Sequence, residues 1–221
     1  MADARRKTVL VDTTAGTNVT TVSSFNLSIT VGAYNDRCLV LTFGNGQDII
    51  SSATFNGKSF TKVIRSVEND GNAGEIWYLV NPDVGTYNIA VTLNGTTDDR
   101  ALAGAVSLYN VDQVSPVNLS TYGLNTGSGI TVSFTPTENN CIAIDAGHEN
   151  GNTAGTQGAG QTLIFKRSAG RSGGTSYKAV NAVSSSMSWS GFQDGTVYSS
   201  YAVAVFQGSI PTGGSFLYNL I

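Results

Sequence analysis

The only histidine of this 221-residue chain is His148, which stands directly before Glu149. A metal site needs several ligands in ordered spacing, and a lone histidine with no Cys/His pattern predicts none. Most histidines in proteins are also not catalytic. We therefore interpret His148 as a structural or solvated residue that faces a loop, and we expect neither a metal ion nor another cofactor.

Ser172 lies within Gly170-Arg171-Ser172-Gly173-Gly174, which formally matches the G-x-S-x-G nucleophile elbow. That motif works because a strained turn from strand to helix exposes the serine. Here the flanks, 163–168 and 175–180, both have the pattern of strands. The motif is therefore interpreted as a hairpin loop. An esterase-like hydrolase using Ser172 and His148 is the least favoured function, and we expect no catalytic residue and no enzyme.

Other polar motifs carry weaker signals. Cys38 and Cys141 make neither a disulfide framework nor a metal site, and we expect buried free thiols. The glycine-rich segment 151–160 lacks the Gly-Lys-Ser/Thr ending of a phosphate loop. Segments 69–72 and 98–99 contain Asp and Asn, but neither has a full set of ligands for Ca²⁺. These segments are interpreted as solvated turns.

Charge and hydropathy exclude some partners. Charged residues make up 12% of the chain, with 12 Lys and Arg against 15 Asp and Glu, so no concentrated basic face for phosphate binding is expected. The basic cluster Arg5-Arg6-Lys7 precedes an apolar run much shorter than that of a signal peptide. No uncharged apolar run is long enough to span a membrane. We expect no nucleic-acid or membrane partner and synthesis in a cytosol, although a trimmed signal is left open.

Alternation of apolar and polar side chains predicts strands along the whole chain. No segment keeps a period of 3.6 residues for three turns. Asn56-Gly57 is a strong hairpin signal. The stretch Glu75–Leu93 predicts a central strand, a tight connection at 81–85 and an outer strand with one face in solvent. The predicted strands are 8–11, 25–31, 38–43, 52–55, 59–66, 75–80, 87–93, 101–109, 130–134, 141–148, 162–168, 175–180, 184–189 and 198–206.

The two halves of the chain match when Cys38 is aligned with Cys141, 103 positions later. The match extends to Trp77 and Tyr177 with small deletions, which predicts pseudo-repeats at 24–110 and 127–207. The fold class predicted is all-β, a jelly-roll-like or Greek-key β-sandwich over 8–208 with an internal duplication. One large sandwich is preferred to two small tandem sandwiches, because 112–129 is short and apolar for a linker. A basic arm (1–7) and an apolar arm (209–221) flank the sandwich.

Two sets of residues are candidates for binding. Trp189 and Phe192 could stack on sugar rings, although a core or rim position is favoured for them. Trp77 is interpreted as a core residue because it matches Tyr177. The C-terminal arm has an apolar end that should either fold back or add to a neighbouring subunit. The predicted assembly contacts are Arg5, Arg6, Phe216, Leu217, Tyr218, Leu220 and Ile221.

The segments DRCLVLTF, SATFNGKSFTKV, EIWYLVNPDVGTYNIAVTL and ALAGAVSLYNVDQVSPV resemble a family of duplicated β-sandwich domains found mainly in uncharacterised phage and bacterial surface proteins. The resemblance covers about residues 24–207 and implies an adhesion, fibre or decoration module with no family catalytic motif. The leading hypothesis is a non-enzymatic structural protein of a virion, a capsid decoration or fibre/tail component that binds its own copies or other virion proteins. The alternative is a carbohydrate-binding or adhesin module, extracellular or on a cell or virion surface, with glycans as partners.

Overall fold

The computed structural model describes residues 6–45, 50–66, 71–97, 101–151, 153, 155–167, 172–191 and 198–211. These residues form seventeen β-strands and no helix, which confirms the all-β class. The first half contains β1 (Leu10–Val19), β2 (Ser24–Val31), β3 (Cys38–Asn45), β4 (Ile50–Phe55), β5 (Lys58–Ser59), β6 (Thr61–Arg65), β7 (Ala73–Val80), β8 (Gly85–Leu93) and β9 (Ala101–Tyr109). The second half contains β10 (Val117–Thr126), β11 (Gly129–Phe134), β12 (Cys141–Glu149), β13 (Thr156–Gln157), β14 (Thr162–Arg167), β15 (Ser172–Val180), β16 (Ser185–Ser190) and β17 (Tyr198–Phe206).

Each half builds one large and one small antiparallel sheet. The large sheets have the orders β1-β9-β3-β7-β6 and β10-β17-β12-β15-β14. The small sheets have the orders β2-β8-β4-β5 and β11-β16-β13. The two halves thus share one strand order, in which only β5 has no counterpart among the described strands.

Three apolar clusters separate the four sheets into layers. The first fills the space between the large and small sheets of the first half, and the third does the same in the second half. The second cluster lies between the two large sheets, where β3 lies over β12 and β1 over β14. The structure therefore combines both predicted arrangements: each half closes its own sandwich, and the two sandwiches share a central core.

Most strands follow the sequence pattern. β3, β9, β12 and β17 are continuous apolar runs that are buried along nearly their whole length. β8 alternates as expected, with Ile89, Val91 and Leu93 buried and the intervening residues exposed. β1 extends well beyond the predicted 8–11, and β10 was not predicted, because both are edge strands without clean alternation.

The stretch Glu75–Leu93 differs from its predicted role. β7 pairs with β3 and β6 in the large sheet, whereas β8 pairs with β2 and β4 in the small sheet. The connection therefore crosses between layers, aided by Asn81 (φ 48°) and Gly85 (φ 127°). β8 is also a central strand of its sheet. Asn56-Gly57 does form the predicted two-residue hairpin, between β4 and β5.

The predicted alignment of the two repeats matches two pairs of residues that lie on opposite faces of their sheets. Cys38 faces the core between the large sheets, whereas Cys141 faces the core of the second half. Trp77 is buried in the first-half core, but Tyr177 packs against the central core, so the alignment of these two residues is wrong. Tyr78 is the counterpart of Tyr177, since each lies opposite the first residue of its neighbouring strand. A shift of one residue exchanges the two faces of a strand.

Glycines bring the two large sheets into backbone contact. A Cβ atom on Gly74 would overlap the carbonyl oxygen of Ala146, and one on Gly44 would overlap the carbonyl oxygen of Gly147. β3 and β7 of the first half therefore lie directly against β12 at these positions. The close approach requires residues without a side chain.

Substitution of Gly74 by alanine should destabilise the protein. A Gly-to-Ala change in a strand normally favours folding by about 0.5–1 kcal/mol, but forced overlap in a packed interior costs roughly 1–3 kcal/mol. We expect the overlap to dominate, because the atom it meets belongs to the backbone. Urea unfolding followed by tryptophan fluorescence measures the change. Ser28→Ala on the exposed face of β2 should change the free energy of unfolding by less than about 0.5 kcal/mol. Equal stability of Gly74→Ala and the wild type would contradict the packing described.

Candidate functional site

The ends of the described strands define two ends of the molecule. The terminal end carries the first and last described segments: the amide of Lys7 donates to the carbonyl of Ser209 at 2.9 Å. The loop end is opposite, where β3 and β12 end at Asn45 and Glu149.

At the terminal end, charged residues join both halves in what we call the terminal clasp: Arg6, Lys7, Asp36, Asp112 and Ser209. Arg6 donates to Asp112 at 2.9 Å, and Lys7 and Ser209 donate to Asp36 at 2.9 and 2.7 Å. Burial opposes ionisation of Asp36, but the bonds from Lys7 and Ser209 outweigh it and lower its pKa. The clasp fixes both arms where they leave the sandwich.

Arg6 is committed to contacts within its own chain. Its side chain is only 12% exposed and also donates to the carbonyl of Gly208 at 2.7 Å. Little of the guanidinium remains for another molecule, in contrast to its predicted role as an assembly contact. The other predicted assembly contacts lie outside the described residues: Arg5, Phe216, Leu217, Tyr218, Leu220 and Ile221.

At the loop end, His148 is fully buried between the two halves. Its Nδ1 lies 2.7 Å from Oδ1 of Asn72, and Ser200 donates to Ser66 at 2.8 Å nearby. His148 is therefore a structural residue, one of the two predicted alternatives, but it does not face a loop, because its side chain projects from β12 toward the first half. These four residues tie the halves together by hydrogen bonds.

Ser172 is the first residue of β15 and is also fully buried. It lies opposite Glu149 in the sheet, and its Oγ donates to Oε1 of Glu149 at 2.5 Å. Neighbouring residues of a strand point to opposite faces, so His148 and Glu149 project in opposite directions. Ser172 and His148 consequently do not form a nucleophile and base pair, and the nucleophile-elbow geometry is not present.

Two buried carboxyl groups face the core of the second half. Burial raises the pKa of Asp145 to about 7, although Trp189 and Ser176 donate to it at 2.8 and 2.6 Å. Burial likewise raises the pKa of Glu149 to about 8, against the opposing bond from Ser172. The sequence pattern alone gave neither carboxyl group a role. An acidic residue inside a continuous apolar strand was the available signal.

Trp189 occupies a core position. It is 2% exposed, its ring lies 5.9 Å from that of Tyr201, and a Cβ atom on Gly174 would overlap it. It therefore offers no open face for a sugar, and the core interpretation fits its place in the fold. Phe192, the other proposed platform residue, lies outside the described residues.

An open groove of about 440 Å³ runs along the edge strands β10 and β11 and reaches β16. Leu124, on β10, is 45% exposed and borders it. The amide of Asn125 and the hydroxyl groups of nearby serines make the groove partly polar. Its main lining residues are Leu124, Asn125, Ile130, Thr131, Ser188 and Ser190.

The thiols and the remaining acidic groups add no reactive centre in the described part of the chain. Cys38 and Cys141 are buried and free, as predicted, and burial raises the pKa of Cys141 to about 11. No group of three or more His, Cys, Asp or Glu side chains among the described residues could hold a metal ion. The described residues likewise include no helix long and apolar enough to cross a membrane.

No protein-family model, curated protein sequence or solved structure matches this chain.

Asp145 should make stability depend on pH. Burial raises the folded-state pKa of Asp145 from 3.8 to about 7. The protonated carboxyl group therefore makes its full contribution to the free energy of unfolding below about pH 4, and this contribution is lost as the pH rises through 7. Relative to Asp145→Asn, which cannot ionise, the wild type should therefore lose stability between pH 4 and 8, by a few kcal/mol at most.

Urea unfolding at pH 4.5 and 8 tests this difference. Asp83→Asn is the control, because hydrogen bonds from Lys58 and Asn56 lower the pKa of Asp83 and its contribution should be constant over this range. A difference between the wild type and Asp145→Asn that is the same at both pH values would show that burial does not raise the pKa of Asp145.

Proposed function

We propose that this chain is a non-enzymatic structural protein of a virion, a capsid decoration or fibre/tail component that assembles through its terminal arms. The observation that carries the proposal is the terminal clasp. It holds residues 6–7 and 208–209 side by side at one end of a rigid four-layer block, so both arms leave the block from the same face.

The burial of the residues that could otherwise act in catalysis supports a structural role. His148, Glu149 and Ser172 are each inaccessible to solvent and engaged in hydrogen bonds that hold strands together. A hydrolase would need its nucleophile and base in contact with each other and with substrate. The sparse surface charge and the resemblance to phage and surface β-sandwiches point the same way.

The opposite end of the block is suited to face outward. By strand direction, eight strands end at the loop end: β1, β3, β6, β8, β10, β12, β14 and β16. Docking by one end and presentation of loops by the other is the geometry expected of a decoration or fibre module. The partner at the terminal end is a second copy or another virion protein.

Removal of residues 211–221 should abolish self-association without loss of stability. The segment is apolar and follows the terminal clasp, so we expect the clasp and the sandwich to keep their own contacts when it is removed. Mass photometry of the full chain should show an oligomer and that of the truncated chain a monomer, with equal melting temperatures. A full-length variant with serine at Phe216, Leu217, Tyr218, Leu220 and Ile221 separates loss of apolar surface from loss of length.

A monomeric full chain, or an oligomer that survives truncation, would contradict assembly through the C-terminal arm. A monomer that nevertheless binds particles of its source only when the arm is present would assign the arm to a different virion protein.

The alternative function is glycan binding, favoured by the groove beside β10 and β11. An exposed leucine next to amide and hydroxyl groups provides both an apolar contact and hydrogen bonds for a sugar. Phe192 follows β16, which borders this groove.

A glycan array probes this alternative directly. Binding by the wild type should weaken about tenfold or more in Leu124→Ala and in Phe192→Ala, since each removes an apolar side chain. Tyr87→Ala, on the exposed face of β8, is a matched control that should bind as the wild type does. No binding to any glycan, or equal binding by all variants, would remove the alternative. Trp189→Ala is unsuitable because the loss of a buried side chain would disturb the fold.

A further inference from the structure

A small pocket opens at the terminal end, directly beside the terminal clasp. Its volume is about 210 Å³. Its lining residues are Asp36, Asp112, Gln113, Val114, Ser209 and Ile210. Most small-molecule sites are larger, at roughly 300–1,000 Å³. A pocket of this size therefore suits a protein side chain better than a small-molecule ligand.

Two apolar side chains of this pocket are exposed to solvent. Val114 is 91% exposed, and its amide donates to Asp112 at 2.9 Å. Ile210 is 43% exposed, and the hydroxyl of the preceding residue, Ser209, donates to Asp36 at 2.7 Å. Hydrogen bonds therefore hold the chain on both sides of the pocket, while the apolar groups of its lining remain in water.

Other large apolar side chains are exposed at the same end. They lie at the start of β1 and in the turns β2–β3, β7–β8 and β15–β16, so both halves contribute to them. They are Leu10, Tyr34, Val84 and Val183. Single exposed apolar residues are normal in proteins, but several of them around a pocket are typical of a surface that binds another protein.

The C-terminal arm starts at the edge of this pocket. Pro211 follows the lining residue Ile210 and leads into the segment 212–221. That segment has no charged side chain and carries five apolar ones, Phe216, Leu217, Tyr218, Leu220 and Ile221. Ten extended residues span about 35 Å at most. The arm can therefore reach from its own terminal end to that of an adjacent copy.

We propose that this pocket receives the apolar C-terminal segment of a second copy of the chain. The inference rests on the assembly function proposed above and names the surface that accepts the arm. The chain's own segment is a poorer occupant, because one short arm would leave most of the exposed apolar side chains of this end in water. The terminal end of a second copy covers them as its arm enters the pocket.

Sedimentation velocity of the full chain and of Val114→Asp tests the pocket. The side chain of Val114 is exposed in the single chain, so its replacement should leave the circular dichroism spectrum unchanged. In the assembly the new charge would be buried without a partner. We expect the dissociation constant to rise about tenfold or more. Val114→Lys should act in the same direction, because the lost apolar contact does not depend on the sign of the charge.

Leu124→Asp is the matched control. Leu124 is an exposed apolar residue of β10 outside this pocket, so this variant should assemble as the wild type does. Removal of residues 211–221 separates the two proposals. If the truncated chain is monomeric but Val114→Asp and Val114→Lys assemble normally, the pocket is not the acceptor and assembly through the arm still stands. A monomeric full chain, or an oligomer that survives truncation, would overturn both.

Discussion

The backbone contact between the two large sheets is the constraint on which the rest of the structure depends. Packed sheets ordinarily lie about 10 Å apart because side chains fill the space between them. At Gly44 and Gly74 no side chain intervenes, and these residues lie directly against the carbonyl groups of Gly147 and Ala146 in the other half. The halves therefore share a core at close range. The apolar middle and the polar groups at both ends are arranged around this contact.

Polar groups close the central core at each end in different ways. At the terminal end, the ion pair of Lys7 with Asp36 is about one third exposed, where such pairs contribute modestly, whereas the pair of Arg6 with Asp112 is mostly buried. At the loop end, His148 and Asn72 are fully buried, so their hydrogen bond is costly to break. The two ends therefore differ in how strongly water competes for their polar contacts.

The two halves share one topology but fill it with different side chains. Glu75 accepts a bond from Trp77 at 2.8 Å on the same strand, whereas Asp145 accepts one from Trp189 of another sheet at the same distance. On β3 and β9 of the first half, the large residue Phe43 pairs with the small residue Ala103. On the equivalent strands β12 and β17, the small residue Gly147 pairs with the large residue Tyr201. Such exchanges keep volume constant while moving polar groups. At the loop end, Glu149 pairs with Ser172 in the second half, whereas Asn45 pairs with Ala73 in the first.

The sequence by itself determined the all-β class, most strands, the Asn56-Gly57 hairpin and the buried thiols, because period-two patterns and turn residues act locally. It did not determine which strands share a sheet, and the connection after β7 crosses between layers for that reason. Nor could it determine the register of the two repeats. In strands that are apolar on both faces, an alignment of apolar residues does not show which face of the sheet each side chain occupies.

Only the tertiary structure decided that His148 is buried between the halves and that Trp189 is a core residue. Only the structure brought Glu149 to Ser172 and placed Val114 and Ile210 around one pocket, because these arrangements join segments that are distant in the sequence.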